Sequence, residues 1–424
     1  METLTGDTPL WQLDRRTPPY RDAAPPDLDL LIVGGGVAGL SSAWHATRMG
    51  MRTMVLEAGA LASRASGRND GQVLLGLGEH LNRLVGQLGM EDALLLWRFI
   101  EENHRGIERV IAEEEIDCSY QERGGLRLAQ TPQEWKELVK TSALMDEEGI
   151  LNRIVRSDEV LNLLPLSQGF HGGLFLDGEA IFDPHAFVLG LAASAAAQGM
   201  SIREHSRAVR IHGEMGDFRV ETEDREEIRC KVLVHATSAL SPTLDTSRFL
   251  SRTLFPFRGQ ILATCELPEE ILKAMPPWAM STNFCYEYFR MHGKRMTLGG
   301  MRWSVKGEES GLTDDNLVNP EITQNLLEWL ARHFPKIAPH GAERVWSGIM
   351  AGTPDGLPLI GEIPGHSGEY ACLGFNGYGM SLAWLAGQSL AEMVLEGRAS
   401  RPATRLFRPD RFDEAPAIDP SNRD

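Results

Sequence analysis

The fold is decided by Asp29-Leu30-Leu31-Ile32-Val33-Gly34-Gly35-Gly36-Val37-Ala38-Gly39 together with a small-residue segment after it that ends in Met54-Val55-Leu56-Glu57. Leu30 to Val33 is an apolar run bounded by an acid and by glycines, the pattern of a buried parallel strand. Gly34, Gly36 and Gly39 stand at the three positions of G-x-G-x-x-G. The first permits a tight turn, the second lets backbone approach a pyrophosphate, and the third lets the next helix pack closely on the sheet. That helix is expected from about Val37 to Met49, with Gly50 as its stop and its first amides aimed at an anion. A second strand through Val55 and Leu56 ends at Glu57, where an acid can accept hydrogen bonds from a ribose diol. The bland alternative is a βαβ unit that binds nothing. Strand, turn, helix, strand and acid in order favour a dinucleotide, and the acid favours an unphosphorylated ribose, hence FAD or NAD.

The 424 residues suit two domains, or one with a large insertion. Hydrophobic residues make up 42% and charged ones 24%, as in ordinary globular proteins. The formal charge of −17 is spread along the chain and disfavours nucleic acid or an anionic membrane as partner. Cys118, Cys230, Cys265, Cys285 and Cys372 are scattered, with no C-x-x-C, which suggests a reduced, cytoplasmic chain with no zinc site. The N-terminus lacks the basic and apolar regions of a signal peptide. No apolar run reaches the ~18 residues needed to span a bilayer. The histidines show no metal spacing, and no metal is expected.

Residues 1–27, with five prolines, Trp11 and Tyr20, read as an extended arm that packs on the body or stays disordered. The long loop from Ala58 to Gly78 centres on Ser66-Gly67-Arg68-Asn69-Asp70-Gly71-Gln72, and loops of this kind are usually functional. Helical periodicity spans about Leu81 to Glu115, and further helices are expected from Thr131-Pro132, Ser157 and Asp183-Pro184. Strands are expected at 124–128, 172–176, 201–211, 218–222 and 230–236. Longer antiparallel strands are expected at 259–265, 285–291 and 295–300, then a helix over 320–333, a strand over 370–374 and a helix over 380–396.

The first βαβ unit thus lies at the start and its partner strand and helix at the end, with other segments threaded between. Such a split domain points to FAD, because NAD dehydrogenases usually use one contiguous block. The expected fold class is α/β with an α+β second domain. A Rossmann-like FAD-binding domain would be assembled from 28–85, 160–245 and 340–400. An antiparallel-sheet substrate domain would comprise 86–159 and 246–339, flanked by the arm 1–27 and a tail 401–424.

Ordered landmarks carry a family resemblance: Gly34 to Ser41, Leu56-Glu57-Ala58, Ala65 to Gln72, Phe257-Arg258-Gly259-Gln260, Tyr288-Phe289-Arg290, Trp346-Ser347-Gly348, Thr353 to Pro358 and Gly374 to Gly379. From about Leu10 to Phe412 the chain resembles the D-amino-acid oxidase and glycine oxidase superfamily of FAD-dependent oxidoreductases. It is most similar to the γ-glutamylputrescine oxidase-like branch. The resemblance implies that Gly34, Gly36, Val37, Ala38 and Gly39 cradle the pyrophosphate, and that Glu57 and Ala58 lie at the adenosine ribose. Ser66, Arg68, Asn69, Gly71 and Gln72 would line the pyrophosphate, ribityl chain and flavin. Val209 would contact the adenine through its backbone, Ala236 and Thr237 would lie beside the dinucleotide, and Gly377, Gly379 and Met380 would bring helix-start amides to the flavin's pyrimidine end. Gly348 stands where a related branch attaches flavin through a cysteine, so non-covalent FAD is implied. Tyr378 and Asp70 depart from the histidine and glycine usual in relatives.

The activity implied is oxidation of the C–N bond of an amine or amino acid by hydride transfer to flavin N5, with an imine that hydrolyses and with dioxygen (giving H2O2) or another acceptor such as a quinone. A flavin-holding protein without amine oxidation, and an NAD-linked dehydrogenase, are the competing classes. Arg290 is the first candidate substrate contact, because a planar guanidinium suits a carboxylate; a surface arginine on an edge strand is the plain alternative. Tyr288 and Tyr378, with Tyr286, would form an aromatic wall for an amine, although aromatics at strand spacing also make ordinary core. Arg302 is an alternative carboxylate partner, and Arg258 reads as structural.

Overall fold

The computed structural model describes residues 7–13, 17–78, 80–244, 247–283 and 286–412. Cys285 lies outside them. Two large sheets dominate. The first has six strands in the order Leu359–Glu362, Glu369–Leu373, Val232–His235, Leu30–Val33, Thr53–Leu56 and Ser201–Arg203. All neighbours run parallel except the first pair, which is antiparallel. Leu30–Val33 and Thr53–Leu56 are buried at every position, as strands covered on both faces must be.

The expected helix runs Val37–Arg48. It packs against Gly379–Glu396 so closely that a Cβ on Gly387 would lie 2.5 Å from the Ser42 amide nitrogen. Ser41 Oγ donates to the Trp384 carbonyl at 2.6 Å across the same interface. Residues near opposite ends of the described chain therefore close one layer over the sheet.

The second sheet has eight strands: Ala342–Gly352, Phe255–Thr264, Arg295–Gly300, Glu287–His292, Ala279–Thr282, Gly125–Ala129, Gly172–Leu176 and Arg153–Arg156. Neighbours are antiparallel except Ala279–Thr282 beside Gly125–Ala129. This corrects the expected segment limits. Gly172–Leu176 and Ala342–Gly352 fall within the segments 160–245 and 340–400 expected of the first domain, but they hydrogen-bond into the second sheet. The expected strand over 201–211 is two strands, because the chain leaves the large sheet at Arg203 and joins a three-stranded antiparallel sheet at Ala208–His212. The helical stretch after Leu81 breaks at Gly89, φ 80°, into Leu81–Leu88 and Met90–Glu113.

The N-terminal arm is seated where it is described. Trp11 is 3% exposed and meets Trp346 edge-on at 5.3 Å. Its Nε1 donates to the Gly67 carbonyl at 2.5 Å, and Gln12 Nε2 donates to the Ala62 carbonyl at 2.8 Å. Of the tail, Phe407 is buried against Phe99 at 5.2 Å. Truncating Trp11 would remove a large buried ring and orphan part of the loop it holds. Trp11→Ala is expected to lower stability by about 3 kcal/mol, measured by chemical denaturation of purified protein.

Candidate active site

A cavity of about 400 Å3 runs from the carboxyl ends of the parallel strands to the second sheet. This is where open α/β sheets bind ligands. At one end Glu57 terminates its strand as expected. Its carboxylate accepts from the Gly35 amide at 2.7 Å and from the Gly59 amide at 2.8 Å. A Cβ on Gly34 would crowd the Ala236 carbonyl carbon at 2.7 Å, and one on Gly36 would meet Ser66 Oγ at 2.9 Å. Bare backbone is thus required where the turn meets the cavity. Ser66 Oγ accepts from the Val37 amide at 3.1 Å, joining the second loop to the helix start.

The loop 65–72 forms the middle of the site. Asn69 shapes it, donating to the Ala65 and Ser66 carbonyls, both at 2.9 Å, and accepting from the Gly71 amide at 2.9 Å. Arg68 donates to the Ser347 carbonyl at 2.6 Å, and Trp346 Nε1 donates to the Arg68 carbonyl at 2.8 Å. The loop is thereby tied to the second sheet. At the far end the helix Gly379–Glu396 starts at the cavity wall, with its positive dipole end facing inward. Asn376, φ 53°, holds the preceding turn by accepting from the Thr353 amide at 2.9 Å and donating to the Gly374 carbonyl at 2.7 Å.

Most expected cofactor residues share this one cavity: Gly34, Gly36, Val37, Ala38, Glu57, Ala58, Ser66, Arg68, Asn69, Gln72, Ala236, Thr237, Gly348, Gly377, Gly379 and Met380. Gly39 and Gly71 stand behind the wall. A Cβ on Gly39 would meet that of Ala236 at 3.2 Å, and one on Gly71, φ 70°, would press on Pro184 and Arg290 at 3.0 Å. Val209 is not in the lining and its side chain is 48% exposed, at a register shift between Ala208 and Arg210, while Arg207 and Ala208 line the cavity.

A cofactor the length of FAD fits what is present. The cavity is bordered by two helix starts and a strand-end acid, and by bare backbone at Gly34 and Gly36. Within it, Gln72 Oε1 is buried with no hydrogen-bond partner among the described residues. Gly348 offers no side chain for covalent attachment.

Arg290 requires a correction. It is 3% exposed and outside the cavity lining. Its Nε donates to the Asp70 carbonyl and its Nη2 to the Phe182 carbonyl at 2.9 Å. Burial brings its pKa down to about 10, with Asp70 and Asp183 opposing the shift. Its planar fork is engaged by backbone, so its work is to hold the cofactor loop. Tyr288 and Tyr378 do line the cavity, together with Tyr286, Phe257, Met350 and Arg302. Burial raises the Tyr288 phenol pKa, with Asp70 adding to the rise. Arg302 lies 4.6 Å from the Phe257 ring centre and donates to the Glu308 carbonyl at 3.0 Å. Arg258 is committed elsewhere, donating to Glu309 Oε2 at 2.7 Å and to the Asp314 carbonyl at 3.0 Å.

A family model described as FAD dependent oxidoreductase matches residues 29–393. The chain therefore belongs to that family of flavoproteins, and its cofactor is FAD. Among curated proteins it is 26% identical to a probable oxidoreductase of Haemophilus influenzae, covering 87% of this chain and 83% of that one. It is 25% identical to gamma-glutamylputrescine oxidoreductase of Escherichia coli, over 88% and 84% of the two chains. The crystal structure of glycine oxidase from Geobacillus kaustophilus superposes with a TM-score of 0.75 at 22% identity, covering 90% of this chain and 97% of that one. Among the described residues there is no metal-binding cluster, and no helix is long and apolar enough to cross a membrane.

Two outcomes are expected. Glu57→Gln should weaken FAD binding about tenfold, since a charged acceptor is worth roughly 1.4 kcal/mol more than a neutral one, read by flavin fluorescence titration. Arg290→Ala leaves two buried carbonyls unpaired and should cost about 3 kcal/mol of stability, read by denaturation.

Proposed function

We propose that the protein oxidises the C–N bond of an amine or amino acid. The observation that carries the reading is that a single cavity joins the Glu57 end to a second-sheet end formed by Tyr286, Tyr288, Phe257, Met350 and Arg302. A long narrow cofactor and a small substrate can thus meet within one enclosure. Relatives described as glycine oxidase, D-amino acid dehydrogenase and gamma-glutamylputrescine oxidoreductase support the same chemistry.

Bound FAD supplies the acceptor for a hydride at its N5, with an imine left to hydrolyse in water. The chain's own residues do the rest. The aromatic side chains and Met350 form a low-dielectric wall that keeps water from the reacting carbon. Tyr288 and Tyr378 flank the substrate region from the second sheet and from the last helix. The guanidinium of Arg302, rather than that of Arg290, is the cation at the substrate end, and its fork suits a substrate carboxylate. Dioxygen, giving H2O2, or another acceptor such as a quinone would take up the electrons. Scattered cysteines support a cytoplasmic setting.

The test is anaerobic. A panel of amines and of D-, L- and N-methyl amino acids is mixed with holoprotein while the flavin band near ~450 nm is followed. Bleaching by one of them is the expected result, and readmitting air separates an oxidase from a dehydrogenase. A flavin that none of them bleaches would favour a non-oxidising flavoprotein. For a carboxylate-bearing substrate, Arg302→Ala should raise KM about 30-fold with a smaller change in kcat, the signature of lost uniform binding worth roughly 2 kcal/mol.

A further inference from the structure

Asp70 stands in the cavity wall and is only 8% exposed. Gln72 Nε2 donates to its Oδ2 at 2.6 Å. Among the described residues no ion pair reaches this carboxylate, because Arg290, the nearest guanidinium, donates to the Asp70 backbone carbonyl. A buried carboxylate without a paired cation is costly, and such groups concentrate at functional sites. The groups facing it are Arg290 and Tyr288 from the strand Glu287–His292 and Gln72 from its own loop, with Asp183 beyond Arg290 and Arg302 beyond Tyr288. Burial raises the carboxyl pKa, and the Arg290 charge opposes the rise.

Amine oxidation by hydride loss needs a neutral nitrogen, whereas an aliphatic amine in neutral water is an ammonium ion. A proton must therefore leave nitrogen before the hydride leaves carbon. We propose that the Asp70 carboxylate binds the substrate ammonium in this cavity and accepts one of its protons, an inference that rests on the amine-oxidising reading above. One N–H bond breaks and one O–H bond forms at Asp70. The bonding pair stays on nitrogen as its lone pair, and the charges of ammonium and carboxylate cancel. The lone pair is then available as the C–H pair departs, and the proton returns to water as the product leaves. Gln72 holds the carboxylate through its side chain and its backbone amide, and the two oxygens of a carboxylate offer about four lone-pair sites, so acceptor capacity remains for the ammonium. Arg290 positions the backbone from which the side chain projects.

The test compares holoprotein with Asp70→Asn, which keeps the shape and the Gln72 contact. With whichever amine reduces the native flavin, anaerobic stopped flow should show Asp70→Asn reduced at least 30-fold more slowly at pH 7.5. Its rate should climb about tenfold per pH unit toward the native value as solution supplies free amine. An Asp70→Asn rate and pH profile matching the native one overturns the assignment while leaving amine oxidation intact. A native flavin that no amine reduces overturns both. Without substrate, the absorption of oxidised bound flavin should shift as a carboxyl group titrates in the native holoprotein and not in Asp70→Asn, and a shift that persists overturns the placement. If Asp70→Asn fails to hold FAD, Asp70→Glu carries the test. A profile of native shape is expected of it, and one that climbs with pH as solution chemistry dictates overturns the proposal.

Discussion

The segment 65–72 belongs to neither large sheet and is held by the second sheet, the N-terminal arm and the first helix. Besides the strand pairing of Gln72 with Ile181, hydrogen bonds to its backbone carbonyls and through its polar side chains hold it. Trp11 takes the Gly67 carbonyl, Trp346 takes that of Arg68, and Arg290 takes that of Asp70. In return Arg68 reaches the Ser347 carbonyl and Ser66 accepts from Val37. An irregular buried segment would otherwise carry unpaired carbonyls, each a penalty of about 1–3 kcal/mol. The donors are indoles and guanidinium groups because these reach across a layer while burying apolar bulk.

This arrangement explains why charge is used unevenly around the cavity. Arg68, Arg258 and Arg290 look available in the sequence, yet each is engaged by carbonyls or by Glu309. Arg127 is likewise committed to Glu179 at 2.8 Å in a fully buried pair. At the second-sheet end of the cavity Arg302 ion-pairs with Glu308 at 3.5 Å but keeps a share of solvent and an aromatic face beneath it. The wall there is otherwise tyrosine, phenylalanine and methionine, apolar but for the tyrosine hydroxyls.

The glycine-turn end of this cavity was legible in the sequence because its signals are local. Three glycines, an acid at a strand end and a helix start are all read within about thirty residues. The split of the domain was legible from the second parallel strand and helix near the end. Arg290 was misplaced for a different reason. Strand alternation puts it on the same face as Tyr288, but whether it reaches a substrate or the carbonyls of Asp70 and Phe182 depends on loops distant in the chain. The sheet membership of Gly172–Leu176 and Ala342–Gly352 was hidden in the same way, since pairing partners are not encoded in a strand's own pattern.

The order of strands in the parallel sheet sets when the site can exist during synthesis. Leu30–Val33 lies between Thr53–Leu56 and Val232–His235, and the latter lies beside Glu369–Leu373. A nascent chain that has left the ribosome through residue 200 owns the glycine turn and Glu57 but still lacks most of the sheet's strands. Neither Ala236 and Thr237 nor the helix beginning at Gly379 is yet there to close the groove. Long-range parallel pairing of this kind is slow and leaves strand edges open meanwhile. Capture of the flavin is therefore a late event, one that seals a nearly complete chain rather than nucleating it.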